Sequence, residues 1–312
     1  MKMRLGKKPL LVKNLLLVEG ITRAGKFLLA NILNGFDGIE PVQLYGLLEQ
    51  IPLWANFGLI DKNTAKEILK LEIDTHCYEM LIGRNLNYRT SDKSSVFNIP
   101  CFQKYLARSK EKNIDKIMEK YNREKPFSFF IMHELMPNIS IYFETFPELK
   151  VVSMRRGPID LVSSWYKRGA GRRYGTDPKV FKIPFKGKHG HTPWFLPQWN
   201  ELSEIDRIIF SIKKLFDMYE ASYRHLSSKY KKKILLVSYE DLLNNPKSVI
   251  GKLSNFLDKK PLSEMKLILK REKLPATEKL ELKVQKLKEI KKIASKKYFN
   301  ILIKMENKYL SQ

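Results

Sequence analysis

Residues 14 to 36, NLLLVEGITRAGKFLLANILNGF, change period halfway along. NLLLVE is an unbroken apolar run of strand length closed by an acid and Gly20, the pattern of a strand buried on both faces in a parallel sheet. From Lys26 the apolar residues recur at helical spacing and stop at Gly35. A strand, a glycine turn and a helix in so short a stretch constrain what the rest can be. A buried parallel strand needs parallel neighbours, and each neighbour needs a crossover, normally a helix. The expected fold class is α/β, with an open, mostly parallel sheet flanked by helices.

Further strands are predicted at PFSFFIMHE (126–134), LKVVSMRR (149–156) and KKILLVSYEDL (232–242). Helices are predicted after Pro137, from Pro158, from about Leu202 to Ser227 and after Pro246. Residues 40–125 carry helical patterns, with a charged helix near 103–122, and read as a helical insertion. Residues 262–312 read as a basic, amphipathic helical segment. Between them, residues 169–200 are rich in Gly, Pro and aromatics and are expected to form a long ordered loop or lid. With 312 residues, 43% of them hydrophobic, the chain can bury a core as a single domain over 1–312, and a wholly disordered chain is excluded.

The net charge of +25, from 58 Lys plus Arg against 33 Asp plus Glu, favours anionic partners. Much of the excess is lysine in helical stretches such as KLKEIKKIASKK, which solvates a surface equally well, so no specific nucleic acid is expected. Cys77 and Cys101 alone make neither a disulfide framework nor a zinc quartet, which suits a reducing compartment. Lys13 and Asn14 interrupt the apolar start, and no transmembrane-length apolar run appears. A soluble, cytoplasmic protein is the expectation.

The turn GITRAGK has the spacing G-x-x-x-x-G-K, after which a P-loop ATPase or GTPase places Ser or Thr on magnesium; this chain places Phe27. A helix N-terminus presents unpaired N–H groups, and Arg23 and Lys26 add cations on the same turn, so the loop suits an anion without a metal. A plain strand–helix turn would look much the same. A second anion-binding element lies in VVSMRRGPIDLVSSWY, where Arg156 ends a strand and Ser164 follows eight residues later on a helix. Strand C-terminal ends are where ligands gather in open parallel sheets.

With these residues the chain resembles the sulfotransferases that use 3′-phosphoadenosine 5′-phosphosulfate (PAPS). Their second element, R-x-P-x-D-x-x-x-S, stands here as Arg156, Pro158, Asp160 and Ser164. Their later V-x-Y-E-D-L-x-x-x-P segment is matched by Tyr239, Glu240, Asp241, Leu242 and Pro246. Their first, P-(K/R)-S-G-T-T, is met at Arg23 and Gly25, while Ala24, Lys26 and Phe27 replace Ser, Thr and Thr. Two hydroxyl donors to the 5′-phosphosulfate are thereby missing, and Lys26 is the candidate to compensate.

The resemblance implies a P-loop-like sulfotransferase architecture and PAPS as co-substrate, with no required metal. It assigns the 5′-phosphosulfate to Thr22, Arg23, Ala24, Gly25, Lys26 and Phe27, and the 3′-phosphate to Arg156 and Ser164. Arg23 and Lys26 would stabilise the leaving phosphate. His133, at the end of FFIMHE, is the expected base for a hydroxyl or amine acceptor, a carbohydrate or small metabolite, with Glu134 or Glu40 as alternatives. Trp194, Phe195 and Trp199 are candidate acceptor-pocket aromatics, whereas His189 and His191 lack the partners of a metal site. Two rivals stay open: a P-loop kinase or NTPase, and a polyanion-binding protein of the same fold with impaired catalysis.

Overall fold

The computed structural model describes residues 5–172, 177, 181–183, 185, 201–277 and 280–311. After β1 (Asn14–Glu19) come α1 (Lys26–Leu33), β2 (Gln43–Leu44), α2 (Leu47–Asn56), α3 (Lys62–Leu81), α4 (Gln103–Lys110) and α5 (Ile114–Glu124). The middle of the chain supplies β3 (Phe127–Ile131), α6 (Ile139–Thr145), β4 (Leu149–Arg155), α7 (Pro158–Lys167), α8 (Glu204–His225) and α9 (Ser228–Lys231). β5 (Ile234–Ser238) is followed by α10 (Tyr239–Asn244), α11 (Pro246–Leu257), α12 (Met265–Arg271), α13 (Leu280–Ile293) and α14 (Lys296–Leu310).

The five strands pair in the order β2-β3-β1-β4-β5, and every pairing is parallel. β1 is central because both its faces are apolar. Leu16 and Val18 turn toward a layer built from α1, α7, the first half of α8, α11 and α14, together with Phe129 and Val152. Leu15 and Leu17 turn to the opposite layer of α2, α3 and α6, with Phe130 and Val151. Each such fully buried side chain contributes about 1.5–3 kcal/mol of transfer free energy. A smaller third core, from Met80, Leu81, Val96, Tyr105, Ile117 and Tyr121, holds α4 and α5 against the end of α3.

The elements start where local chemistry allows. Asp61 caps α3 by accepting from the N–H groups of Asn63 and Thr64, Ser203 caps α8, and Pro158 opens α7. Two details depart from the sequence reading. The charged stretch near 103–122 forms two helices rather than one, because Asn113 caps α5 afresh. The YED residues predicted to extend the last strand begin α10, since Ser238 accepts from the Asp241 N–H and turns the chain into a helix. The region read as an insertion also supplies the edge strand β2, which the apolar pattern does not announce. Trp194, Phe195, Trp199, His189 and His191 lie outside the described residues.

α8 links the layers. Its Ile205, Ile208, Ile209 and Ile212 belong to the first core, while Tyr219 and Tyr223 pack on the second. The helix therefore passes from one face to the other beside the C-terminal edge of the sheet. At that edge Gly20 follows β1 with φ +152, and a Cβ there would stand 2.4 Å from the Met154 carbonyl oxygen of β4. Gly58, at φ +69, has nothing within 4 Å. Gly58→Ala is expected to cost only left-handed strain, about 1 kcal/mol. Gly20→Ala must also displace main chain of a central strand, so its melting temperature should fall several degrees further in a thermal denaturation series.

Candidate active site

All five parallel strands end at one edge, and the predicted site residues cluster there. Glu19, the last residue of β1, is fully buried. Its carboxylate accepts hydrogen bonds from Ser153 of β4, from Tyr219 Oη of α8 at 2.8 Å and from the Met136 N–H at 3.3 Å. Burial raises its pKa, and these hydrogen bonds and the nearby Lys26 charge oppose the rise.

Above it the loop from Gly20 to Gly25 turns into α1, whose Leu28 N–H already donates to the Gly25 carbonyl at 3.0 Å, so the N–H groups of Lys26 and Phe27 are the ones that lack an intrahelical acceptor. Thr22 donates its hydroxyl to Glu134 Oε1 at 2.9 Å, and Glu134 is itself held in a left-handed conformation by its N–H bond to the Gly20 carbonyl. Trp165 Nε1 donates to the Thr22 carbonyl at 2.7 Å, fixing the loop against α7. Ala24 is buried, and Phe27 packs on the first core. Lys26 does not project from the loop. Its ammonium is buried and donates to the carbonyls of Gly20 at 2.7 Å and Ile21 at 3.0 Å. Burial lowers its pKa to about 8 against the pull of Glu134, Glu49 and Glu19. These bonds hold the shape of the loop from inside.

Arg23, Arg156 and Ser164 come together on the other side of the loop. Arg23 Nε donates to Ser164 Oγ at 3.0 Å, and Arg156 Nη1 donates to the Arg23 carbonyl at 3.0 Å. The Arg156 guanidinium lies 4.2 Å from the centroid of the Tyr239 ring, and its buried Nε has no partner among the described residues. A Cβ on Gly25 would stand 2.4 Å from the same ring, so glycine lets Tyr239 close on the loop. Burial first, then the neighbouring Arg168 and Arg156 charges, lower the Arg23 pKa. Arg168 is a cation that the motif spacing does not reveal. Like charges crowded this way repel, and a bound anion relieves that cost. The first turn of α7, by contrast, is capped internally. Glu240 accepts from the Gly157 N–H and Glu306 from the Ile159 N–H, each at 3.0 Å.

His133 lies two residues past β3, on the opposite side of β1 from the arginines. Its backbone N–H and its Nδ1 both meet Glu49 Oε1 of α2, at 2.6 and 2.7 Å. Glu49 Oε2 pairs with Lys182 Nζ at 2.8 Å. Burial alone would raise the Glu49 carboxyl; His133 and Lys182 outweigh it and hold it at about 2. Burial and the Lys26 charge lower the His133 pKa, so the ring is neutral near neutral pH. With its proton on Nδ1 and donated to Glu49, Nε2 is the acceptor. Glu49 was not found from the sequence: a glutamate on an amphipathic helix carries no signal separating it from a solvated face.

Glu40, an expected alternative base, is at the wrong end of the sheet. Its N–H bonds the carbonyl of Phe127, the first residue of β3, and its carboxylate is buried in a two-point ion pair with Arg108 at 2.6 and 2.9 Å. Glu134 remains at the site edge, engaged by Thr22. A cavity of about 630 Å³ opens beside the loop, walled by Ile21, Ala24, Met154, Arg156, Tyr219 and Met305. That volume suits a small-molecule ligand. Among the described residues no three His, Cys, Asp or Glu side chains converge as a metal site requires, and no helix is long and apolar enough to cross a membrane.

Comparison with known proteins places this geometry in context. A profile of the sulfotransferase domain family matches residues 47–301. The match begins after the loop and includes Arg156, Ser164, His133 and Glu49. No curated protein sequence matches the chain. Among solved structures, a sulfotransferase domain from the curacin biosynthetic pathway is similar at 13% identity over 81% of this chain and 77% of its own, with a TM-score of 0.43. The sulfotransferase domain of a Synechococcus olefin synthase is similar at 13% identity over 85% and 79%, with a TM-score of 0.41. A sulfotransferase of Mycobacterium tuberculosis is similar at 11% identity over 88% and 76%, with a TM-score of 0.40.

The buried ammonium yields a pH test. Lys26 is charged below a pH of about 8 and neutral above it. Calorimetric binding of an anion such as pyrophosphate should weaken as pH rises from about 7 to about 9 and Lys26 loses its charge. Lys26→Met should bind more weakly and show no such pH dependence.

Proposed function

The chain belongs to the sulfotransferase family, and from that membership we propose that it moves a sulfuryl group from PAPS to a hydroxyl of a small molecule or carbohydrate. The observation that carries the reading is the convergence of Arg23, Arg156 and Ser164 beside the first turn of α1. An anion there meets guanidinium, hydroxyl and main-chain N–H donors together. The unpartnered Arg156 Nε fits a further acceptor, such as the donor's 3′-phosphate. The loop from Thr22 to Phe27 holds the 5′-phosphosulfate through its N–H groups and the field of Lys26. The adjoining cavity offers room for the nucleoside.

In the transfer the acceptor oxygen forms a bond to sulfur as the bond from sulfur to the 5′-phosphate oxygen breaks. The electron pair leaves with 3′,5′-adenosine bisphosphate. Charge therefore grows on that phosphate oxygen, and in this reading Arg23, the α1 terminus and the field of the buried Lys26 stabilise it. One such donor is worth on the order of 3 kcal/mol of barrier. His133 Nε2 takes the acceptor's proton. The pocket beside it is lined by the apolar Leu53, Pro137, Leu215 and Met218, the neutral polar Gln50 and Asn138, and the charged Glu49, Glu134 and Lys182. This reading gives no role to nucleic acid. Two free cysteines suit a reducing cytoplasm. The kinase alternative needs a magnesium-binding hydroxyl where Phe27 packs into the core.

Thermal-shift assays with 3′,5′-adenosine bisphosphate and with magnesium–ATP test the donor. The bisphosphate at about 100 times its dissociation constant should stabilise by roughly 2.7 kcal/mol. A shift with magnesium–ATP alone would return the kinase reading, and a shift with heparin alone the polyanion-binding one. Arg156→Ala should abolish the bisphosphate shift. His133→Ala should keep it while turnover falls by about 10²-fold or more.

A further inference from the structure

Residues 181–183 and 185, beyond α7, lie against α2, with contacts to the adjacent Glu49 and Gln50 near its start and to Phe57 just past its end. Lys182 Nζ pairs with Glu49 Oε2 at 2.8 Å, the Ile183 N–H donates to Gln50 Oε1 at 2.7 Å, and the Phe185 ring lies 5.1 Å from that of Phe57. Glu49 uses its other oxygen, Oε1, for the backbone N–H and Nδ1 of His133. One buried carboxylate thus joins a crossover segment to an imidazole, one oxygen to each. Nothing in an isolated α2 would hold that carboxylate in place, since a free glutamate side chain samples several rotamers.

We propose that Lys182 is a positioning residue for proton transfer: by clamping Glu49 it holds His133 with the proton on Nδ1 and Nε2 turned to the acceptor. The inference rests on His133 being the base. The chemistry balances simply. The acceptor's O–H proton moves to Nε2 as the new bond to sulfur forms, and 3′,5′-adenosine bisphosphate leaves with the electron pair of the broken bond. Lys182 and Glu49 exchange no proton with the substrate.

Lys182 also has an electrostatic effect that a purely steric clamp lacks. The groups facing His133 are Glu49 from α2, Lys26 from α1, Lys182 from the crossover and the neighbouring Glu134, with Glu19 and Tyr219 behind them. Lys182 partly cancels Glu49. Without Lys182 the carboxylate acts on the imidazole uncompensated and keeps it protonated to higher pH. Without the Glu49 charge, Lys182 and Lys26 are left to expel the proton, and the imidazole loses it at lower pH.

Two substitutions should therefore move one titration in opposite directions. The five histidines of the chain can be followed by NMR of the ring nitrogens in the full-length protein, with His133→Gln identifying the His133 signals. In Lys182→Met the His133 titration should rise by about half a pH unit or more, and in Glu49→Gln it should fall by a similar amount. Lys182→Arg should restore the parent value, and Lys182→Gln provides a second neutral variant. The acid limb of the kcat/KM profile should follow the same shifts, with kcat lowered at least several-fold in Lys182→Met. An unmoved titration, or shifts of the same sign in Lys182→Met and Glu49→Gln, would overturn the proposal while leaving His133 as base intact. Full turnover in His133→Ala would instead remove the base assignment and the proposal with it, whatever the NMR shifts.

Discussion

Glu19 stands where four parts of the chain meet. A carboxylate fully buried at the end of the central strand would be costly if left without partners. Here its two oxygens take hydrogen bonds from β4, from α8 and from the main chain just before α6. That requirement explains why α8 crosses where it does, because Tyr219 must reach the sheet edge from the helix that joins the two layers. It also fixes the level at which the chain leaves β1, and so the height of the Gly20–Gly25 loop above the strand ends. Both halves of the site, His133 beyond β3 and Arg156 beyond β4, are set against that one point.

The loop solves a second problem in an unusual way. Where the family places hydroxyls, this chain has Ala24, Lys26 and Phe27, two of them absorbed into the core and the third buried with its ammonium on the loop's own carbonyls. The loop's shape is thereby held from inside. The outward-facing donors are left to Arg23, Arg156 and Ser164, with Arg168 close by. Burial and mutual repulsion make this cluster unfavourable alone, which is the condition under which an anion binds with most effect.

Much of this was legible before any coordinates. The change of period at Gly20 identified β1 and α1, because a strand buried on both faces and a helix have distinct apolar patterns. Arg156 and Ser164 were singled out as candidates because one strand–helix junction carries both, so their separation in space follows from local geometry. Glu49 was not, because 84 residues separate it from His133 and only the packing of α2 on the second layer unites them. Glu40 misled for the complementary reason. Nothing in the sequence marks the short strand β2, and without it the direction in which Glu40 points along the sheet cannot be known. Tyr239 to Asp241 turned helical because Ser238 supplies a cap that an apolar strand pattern does not weigh.

Two of the helices that begin at this edge, α1 and α7, are not equivalent. The first turn of α7 is already neutralised by Glu240 and Glu306 of the chain itself, whereas that of α1 faces the arginine cluster. In the proposed reading a ligand with two anionic groups would set one on the N–H groups of the loop, beside Arg23, and the other on Arg156 and Ser164. These two receptors differ in kind, so the ends of such a molecule are not interchangeable. In that reading the edge has a built-in polarity: a doubly charged guest would be read in one direction, with its reactive end toward the His133 side.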